Sequence, residues 1–281
     1  MSQRTIHVAH SPDSDDAFMF FALTEGKIDT GDLRYVHELS DIESLNQRAR
    51  RAELEVSAVS IHAYSYIADD YALLASGSSM GDGYGPRLVA KTPPPQNVPQ
   101  ALRGLRIGIP GALTTAYLVL QMFQPDFEAV VLPFDEIEDA VADGTVDVGL
   151  VIHEGQLTYA ERGLHLWGDL GVWWQEDTGL PLPLGGNVVR RDLGDEVMQQ
   201  IAHDLKASIE YGLGHRTAAL EYAKRFNRGI SEAQTDAFVG MYVNHWTVDY
   251  GEQGRTAVRT LLERAHSAGL IPNKAEVDFV G

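Results

Sequence analysis

The first half of the chain alternates short apolar runs with amphipathic stretches. Thr5–Ala9, Leu33–Leu39, Glu55–Ile61, Tyr71–Ala75 and Arg87–Lys91 are brief runs rich in apolar and β-branched side chains, which predicts strands. Asp13, Ser14 and Asp15 are N-cap types ahead of Ala17, Phe18, Phe21 and Ala22, whose spacing is helical. Ser40 and Glu43 have the spacing of a capping box before a helix through Leu45 and Asn46. Strand and helix in alternation predict a mainly parallel sheet covered by helices. Thr92–Pro99 (TPPPQNVP) then holds four prolines in eight residues, a stiff, extended run suited to a domain linker. The alternation restarts with strand Leu105–Ile109, a helix from Thr114, strand Ala129–Leu132, helix Asp135–Ala142 and strand Val146–Ile152. Leu180–Gly186 (LPLPLGG) reads as a return crossing into strand Asn187–Arg190. From Asp192 onward the pattern is helical, with stripes at Val197, Ile201, Leu205 and Ile209, at Phe238, Met241, Tyr242 and His245, and at Val258, Leu261, Leu262 and Ala265. All three stripes are assigned to core packing.

Two crossings around an inserted segment predict an α/β fold of two lobes with a ligand cleft between them. Lobe one is expected to be residues 1–93 plus 188–281, and lobe two residues 94–187. Ligand sites favour such interfaces and the carboxyl ends of parallel strands.

Composition narrows the classes. Hydrophobic residues make up 44% of the 281 and charged residues 22%, enough for ordinary globular cores. Asp plus Glu is 40 against 22 for Lys plus Arg, a net charge of −18 that repels phosphate backbones, so no nucleic-acid partner is expected. With no cysteine, thiolate metal sites, disulfides and thiol nucleophiles are excluded. No run approaches a membrane span, and the N-terminus has no secretory pattern, so a cytoplasmic location with no membrane partner is expected. Oligomeric state leaves no trace in the sequence.

Several positions carry chemistry. His153 follows a near-continuous apolar strand, so it sits at a strand end facing the expected cleft. It reads either as a proton acceptor, since imidazole ordinarily titrates near pH 6.5, or as a plain strand cap. Glu154 is a candidate to orient it or to bind a substrate hydroxyl. In Ile109–Tyr117 (IPGALTTAY), Thr114 or Thr115 caps a helix whose start suits a carboxylate, or simply caps it. The small residues of Val56–Ile61 either admit a ligand at Ser60 or permit close packing. The aspartates of Ser11–Asp16 are assigned to helix capping, with no metal site. Trp173 and Trp174 stack on an aromatic ligand or pack at the crossing. No G-x-G-x-x-G, P-loop, G-x-S-x-G or H-E-x-x-H motif is present.

Taken together, SPDSDDAFMFFAL, DIESLN, SAVSIHAY, GYGPRLVA, IPGALTTAY, GLVIHE, LTYAERGL and DLGVWWQEDTGLPLPLG resemble the 1,4-dihydroxy-6-naphthoate synthase family of the futalosine route to menaquinone. The resemblance runs from about His10 to Gly194 and weakly through the C-terminal helices. It implies the two-lobed periplasmic-binding-protein-like (type II) fold and a cofactor-free carbon–carbon lyase acting on cyclic dehypoxanthine futalosine, a small anionic aromatic substrate. It implies that His153 is the proton acceptor. Substrate contacts are implied at Ala58, Val59 and Ser60, at Thr114, Thr115 and Ala116, and at Asn46, Glu154 and Leu184. Three places depart from the family pattern. SPDSDD stands for S-P-C-P-N-D, Ala58 for a frequent lysine, and Ala112 and Leu113 for a polar pair. These changes remove positive or polar character near an anionic substrate. The alternatives are therefore a divergent enzyme of the same fold, resembling chorismate dehydratase, or a small-molecule-binding protein serving a transporter.

Overall fold

Each apolar run pairs on both edges where its neighbours are strands, and two separate sheets result. A computed structural model describes residues 3–226 and 229–281. The seven-stranded sheet runs Phe279–Val280, Tyr71–Leu74, Leu182–Arg190, Val56–Ser60, Arg4–His10, Leu33–Leu39, with Ser79–Gly81 also paired to Leu182–Arg190. The five-stranded sheet runs His165–Asp169, Arg87–Ala90, Val148–Val151, Arg106–Ile109, Glu128–Val131. Both sheets are mixed rather than mainly parallel. Arg4–His10 is parallel to its two neighbours, and Arg106–Ile109 to its own two. Leu182–Arg190 and Arg87–Ala90, the strands that follow the crossings, run antiparallel to the strands they join.

The crossing comes earlier than the proline run. Arg87–Ala90 is bonded on both edges into the five-stranded sheet, so the chain changes sheets between Gly81 and Arg87, not at residue 93. Thr92–Pro99 is a largely exposed loop that ends in the short helix Val98–Ala101. The return falls between Asp169 and Leu182, because Leu182 already pairs with Gly81, ahead of residue 188. Pro183 is tolerated in that strand because the register shifts between Pro183 and Gly185. Gly186 is needed there because a Cβ would run into the Tyr250 hydroxyl.

The helix Ser14–Thr24 starts at Asp13, whose side chain accepts from the Asp16 N–H, and the helix Ile42–Ala49 is capped by Asp41, not Ser40. The first helix is held on Asp195–Gly214 by the Ser208 hydroxyl, which donates to the Met19 carbonyl at 2.7 Å. Ile201, Leu205 and Ile209 of the expected stripe are buried in this interface, as are Val258, Leu261, Leu262 and Ala265 elsewhere in the core. Among the described residues no helix is long and apolar enough to cross a membrane.

Candidate active site

The loops at the carboxyl ends of both sheets meet around one cavity. Its wall includes Asp13, Asp15 and Asp16 from the first loop and helix, and Ala58, Val59 and Ser60 from one strand. It also includes Thr114, Thr115 and Ala116 from a helix start, Ile152 and His153 from a strand end, and Leu184 through Asn187 from the returning strand.

His153 ends the buried strand Val148–Val151 and takes φ 54°, the left-handed region that side-chain-bearing residues seldom occupy. Its Nδ1 lies 3.1 Å from Asp13 Oδ2, and its ring packs edge-on to Phe134 at 4.6 Å. An ionised carboxylate can only accept, so Nδ1 carries the hydrogen of that bond. Nε2 is buried with no hydrogen-bond partner among the described residues. Burial pushes the Asp13 carboxyl upward, but the bond and charge of His153 outweigh it and hold the group well below the usual carboxylate range. Asp15 and Asp16 go the other way. Burial, then the charge of Asp13, raises both.

The part of the wall formed by Thr114, Thr115 and Ser60 carries no charged side chain. The Thr114 hydroxyl donates to the Gly111 carbonyl at 2.8 Å and accepts from the Tyr117 N–H at 3.3 Å. The Thr115 hydroxyl donates to the Leu184 carbonyl at 2.6 Å and accepts from the His62 N–H at 3.1 Å. Both hydroxyls are thus spent inside the protein. What the helix Thr115–Phe123 offers a ligand is its first-turn N–H groups, which have no intrahelical acceptor. Ser60 is different. Asn46 lies behind it, with Nδ2 donating to Ser60 Oγ at 3.1 Å and Oδ1 accepting from the Ser60 N–H at 2.9 Å. The Ser60 hydroxyl keeps its own proton to donate.

A family model described as menaquinone biosynthesis matches residues 6–267. The chain belongs to that menaquinone-biosynthesis family. A 1,4-dihydroxy-6-naphthoate synthase of Thermus thermophilus is 38% identical over 94% of this chain and 95% of its own. One of Streptomyces coelicolor is 38% identical over 97% and 96%. A solved Archaeoglobus fulgidus structure, 47% identical, covers 95% of this chain and 98% of its own, with a TM-score of 0.91. An alkanesulfonate-binding protein of Xanthomonas axonopodis pv. citri, 11% identical, superposes over 99% of this chain and 97% of its own at a TM-score of 0.71, which shows the fold alone. The fold is the two-lobed periplasmic-binding-protein type.

Set against the family expectation, Ala58, Val59, Ser60, Thr114, Thr115, Ala116, His153 and Leu184 all line the cavity. Asn46 and Glu154 do not line it. Asn46 acts through Ser60, and Glu154 is buried, accepting from the Ser14 hydroxyl at 3.3 Å. The partner of His153 is Asp13 rather than Glu154. Phe238 and Tyr242, assigned to core packing, form part of the cavity wall. Asn187 lines it too, with Nδ2 bonded to the Gly77 carbonyl and Oδ1 without a partner among the described residues. The tryptophans pack instead of facing the ligand. Trp174 is fully buried with its indole N–H on the Pro181 carbonyl, and Trp173 packs on Phe123 at 5.4 Å.

Oxygens of Asp13, Asp15 and Asp16 lie within 4.8 Å of one another. Those of Asp13 serve the Asp16 N–H and His153, and Asp16 Oδ2 accepts from the Ser11 N–H at 2.7 Å.

Proposed function

We propose that this chain is a lyase that converts cyclic dehypoxanthine futalosine to 1,4-dihydroxy-6-naphthoate, with His153 as general base and no cofactor. The observation that carries the reading is the Asp13–His153 pair on the cavity wall, with Nε2 unpartnered, in a chain of this family. Nε2 takes the proton that starts cleavage. Asp13 keeps the ring oriented and stabilises the imidazolium that forms. The substrate carboxylate lies against the N–H groups of Thr115 and Ala116 and the Ser60 hydroxyl. Ile42, Ile152 and Phe238 give the aromatic body an apolar bed, and Asn187 Oδ1 accepts from a hydroxyl of the sugar-derived part. Aromatisation of the product supplies much of the driving force, so an oriented base and an anion site are sufficient machinery.

One observation favours a second reading. Among the described residues, no lysine or arginine lines the cavity. A divergent enzyme of the same fold, taking a less anionic substrate, accounts for that directly. Incubating the pure protein with cyclic dehypoxanthine futalosine and detecting products by mass separates the two. Appearance of 1,4-dihydroxy-6-naphthoate supports the first, and intact starting material supports the second.

A further inference from the structure

We infer that Asp15 is the general acid of this site, and that Asp13 links it to His153 so that acid and base are reset by internal proton transfer. The inference rests on the lyase reading above and adds a residue and a proton path to it.

Asp15 lines the cavity and is only 7% exposed. Its Oδ1 has no hydrogen-bond partner among the described residues. The ionisable groups that face it are Asp13 and Asp16 of its own helix, Glu154 from the second lobe and Tyr242 from the helix Glu232–Tyr242. None of these is a cation, and no lysine or arginine among the described residues pairs with it. The start of its own helix favours a negative charge there, but that effect is small beside burial next to an ionised neighbour. Asp13 is that neighbour, kept ionised by His153. Burial and the neighbouring charge therefore favour a proton on Asp15, and its carboxyl lies with an oxygen within 4.8 Å of one of Asp13. Two adjacent carboxyl groups driven to opposite protonation states are the usual signature of an acid set beside a base system.

The step balances as follows. A substrate proton passes to His153 Nε2, a carbon–carbon bond breaks, and its electron pair comes to rest on a substrate oxygen. That oxygen takes the Asp15 proton. The protein is left with an imidazolium and an Asp15 carboxylate on either side of Asp13. The proton of His153 Nδ1 passes by way of Asp13 to Asp15, and Nε2 keeps its proton, which leaves the ring in its other neutral tautomer. Exchange with solvent then restores the resting tautomer.

Asp15→Asn keeps the shape and the hydrogen-bond donor but cannot give up a proton. We expect kcat to fall about 10²–10⁴-fold with little change in KM. The wild type should lose kcat as pH rises through the raised Asp15 pKa, and that alkaline limb should be missing from the residual rate of the variant. An infrared difference spectrum, wild type minus Asp15→Asn at pH 7 without substrate, should show the band of a protonated carboxylic acid. Asp15→Ser serves for both measurements if the amide variant does not fold. Absence of the band, or near wild-type kcat in a folded variant, overturns the inference. If the wild type makes no naphthoate, the role of Asp15 as acid falls with the lyase reading. The band, which needs no substrate, tells that failure from a wrong protonation state.

Discussion

At position 13 one carboxylate serves two partners. Oδ1 caps the first helix at 3.4 Å from the Asp16 N–H, and Oδ2 holds His153 at 3.1 Å. Asp13→Asn separates these roles, because asparagine caps a helix as well as aspartate does but brings no charge to the imidazole. We expect a melting temperature close to wild type and a loss of kcat of about 10²–10⁴-fold, measured side by side. A large fall in melting temperature with unchanged kcat would make Asp13 a structural cap only. The sequence shows the cap and conceals the second role. A good N-cap residue before a helical pattern is fully accounted for locally, so nothing is left over to point at a residue 140 positions away. Glu154 looked the better partner because it is adjacent in sequence. The left-handed backbone at His153 turns the chain there, and Glu154 ends up buried against Ser14.

At the scale of elements, the first two strands end in a cluster of His10, Phe20 and His37. His10 stacks on Phe20 at 4.4 Å, and His37 meets both rings edge-on at 5.6 Å. Burial lowers both histidines from 6.5 to about 4. The unfolded chain takes up these protons near 6.5 and the folded chain only near 4. Stability is therefore full above 6.5 and declines as pH falls through that window. A depression of this size corresponds to roughly 3 kcal/mol per histidine at full effect. His37→Phe should flatten the fall in melting temperature between pH 6.5 and pH 4. Identical pH dependence in variant and wild type would remove His37 from the account. Most strands and helices were legible because apolar runs and capping residues are local signals. Sheet membership was not, since a run such as Arg87–Ala90 looks the same whichever sheet it joins. Phe238 and Tyr242 are buried as the periodicity predicts, and they also border the cavity, because helical periodicity marks the inward face without saying whether a core or a cavity lies there.

For the whole molecule, the two lobes meet across the cavity through side chains near its rim. Asp13 holds His153, Ser14 donates to Glu154, and the Leu113 N–H donates to Glu43 at 3.0 Å. The Tyr242 hydroxyl donates to Gln156 at 2.8 Å, and Gln234 Nε2 donates to Glu161 at 2.8 Å. Each replaces a bond to water, so the neutral Tyr242–Gln156 bond contributes only about 0.5–1.5 kcal/mol and those to carboxylates about 1.5–3 kcal/mol. A ligand bound between the lobes is expected to supply the remaining bias toward closure. The two connections run through 82–86 and 170–181, so a hinge is expected there and not at the proline run. Small-angle scattering should show the protein compacting on saturation with 1,4-dihydroxy-6-naphthoate. An unchanged radius of gyration would contradict a closing cleft.

The central claim is that His153 starts the conversion of cyclic dehypoxanthine futalosine. Turnover of that substrate by wild type and by His153→Ala, with folding checked by circular dichroism, tests it most directly. His153 is at a cavity wall and adds little to either core, so the variant should fold. Its kcat should be lower by about 10²–10⁴-fold, the usual loss for a general base. A folded His153→Ala protein that makes naphthoate at the wild-type rate would contradict the account.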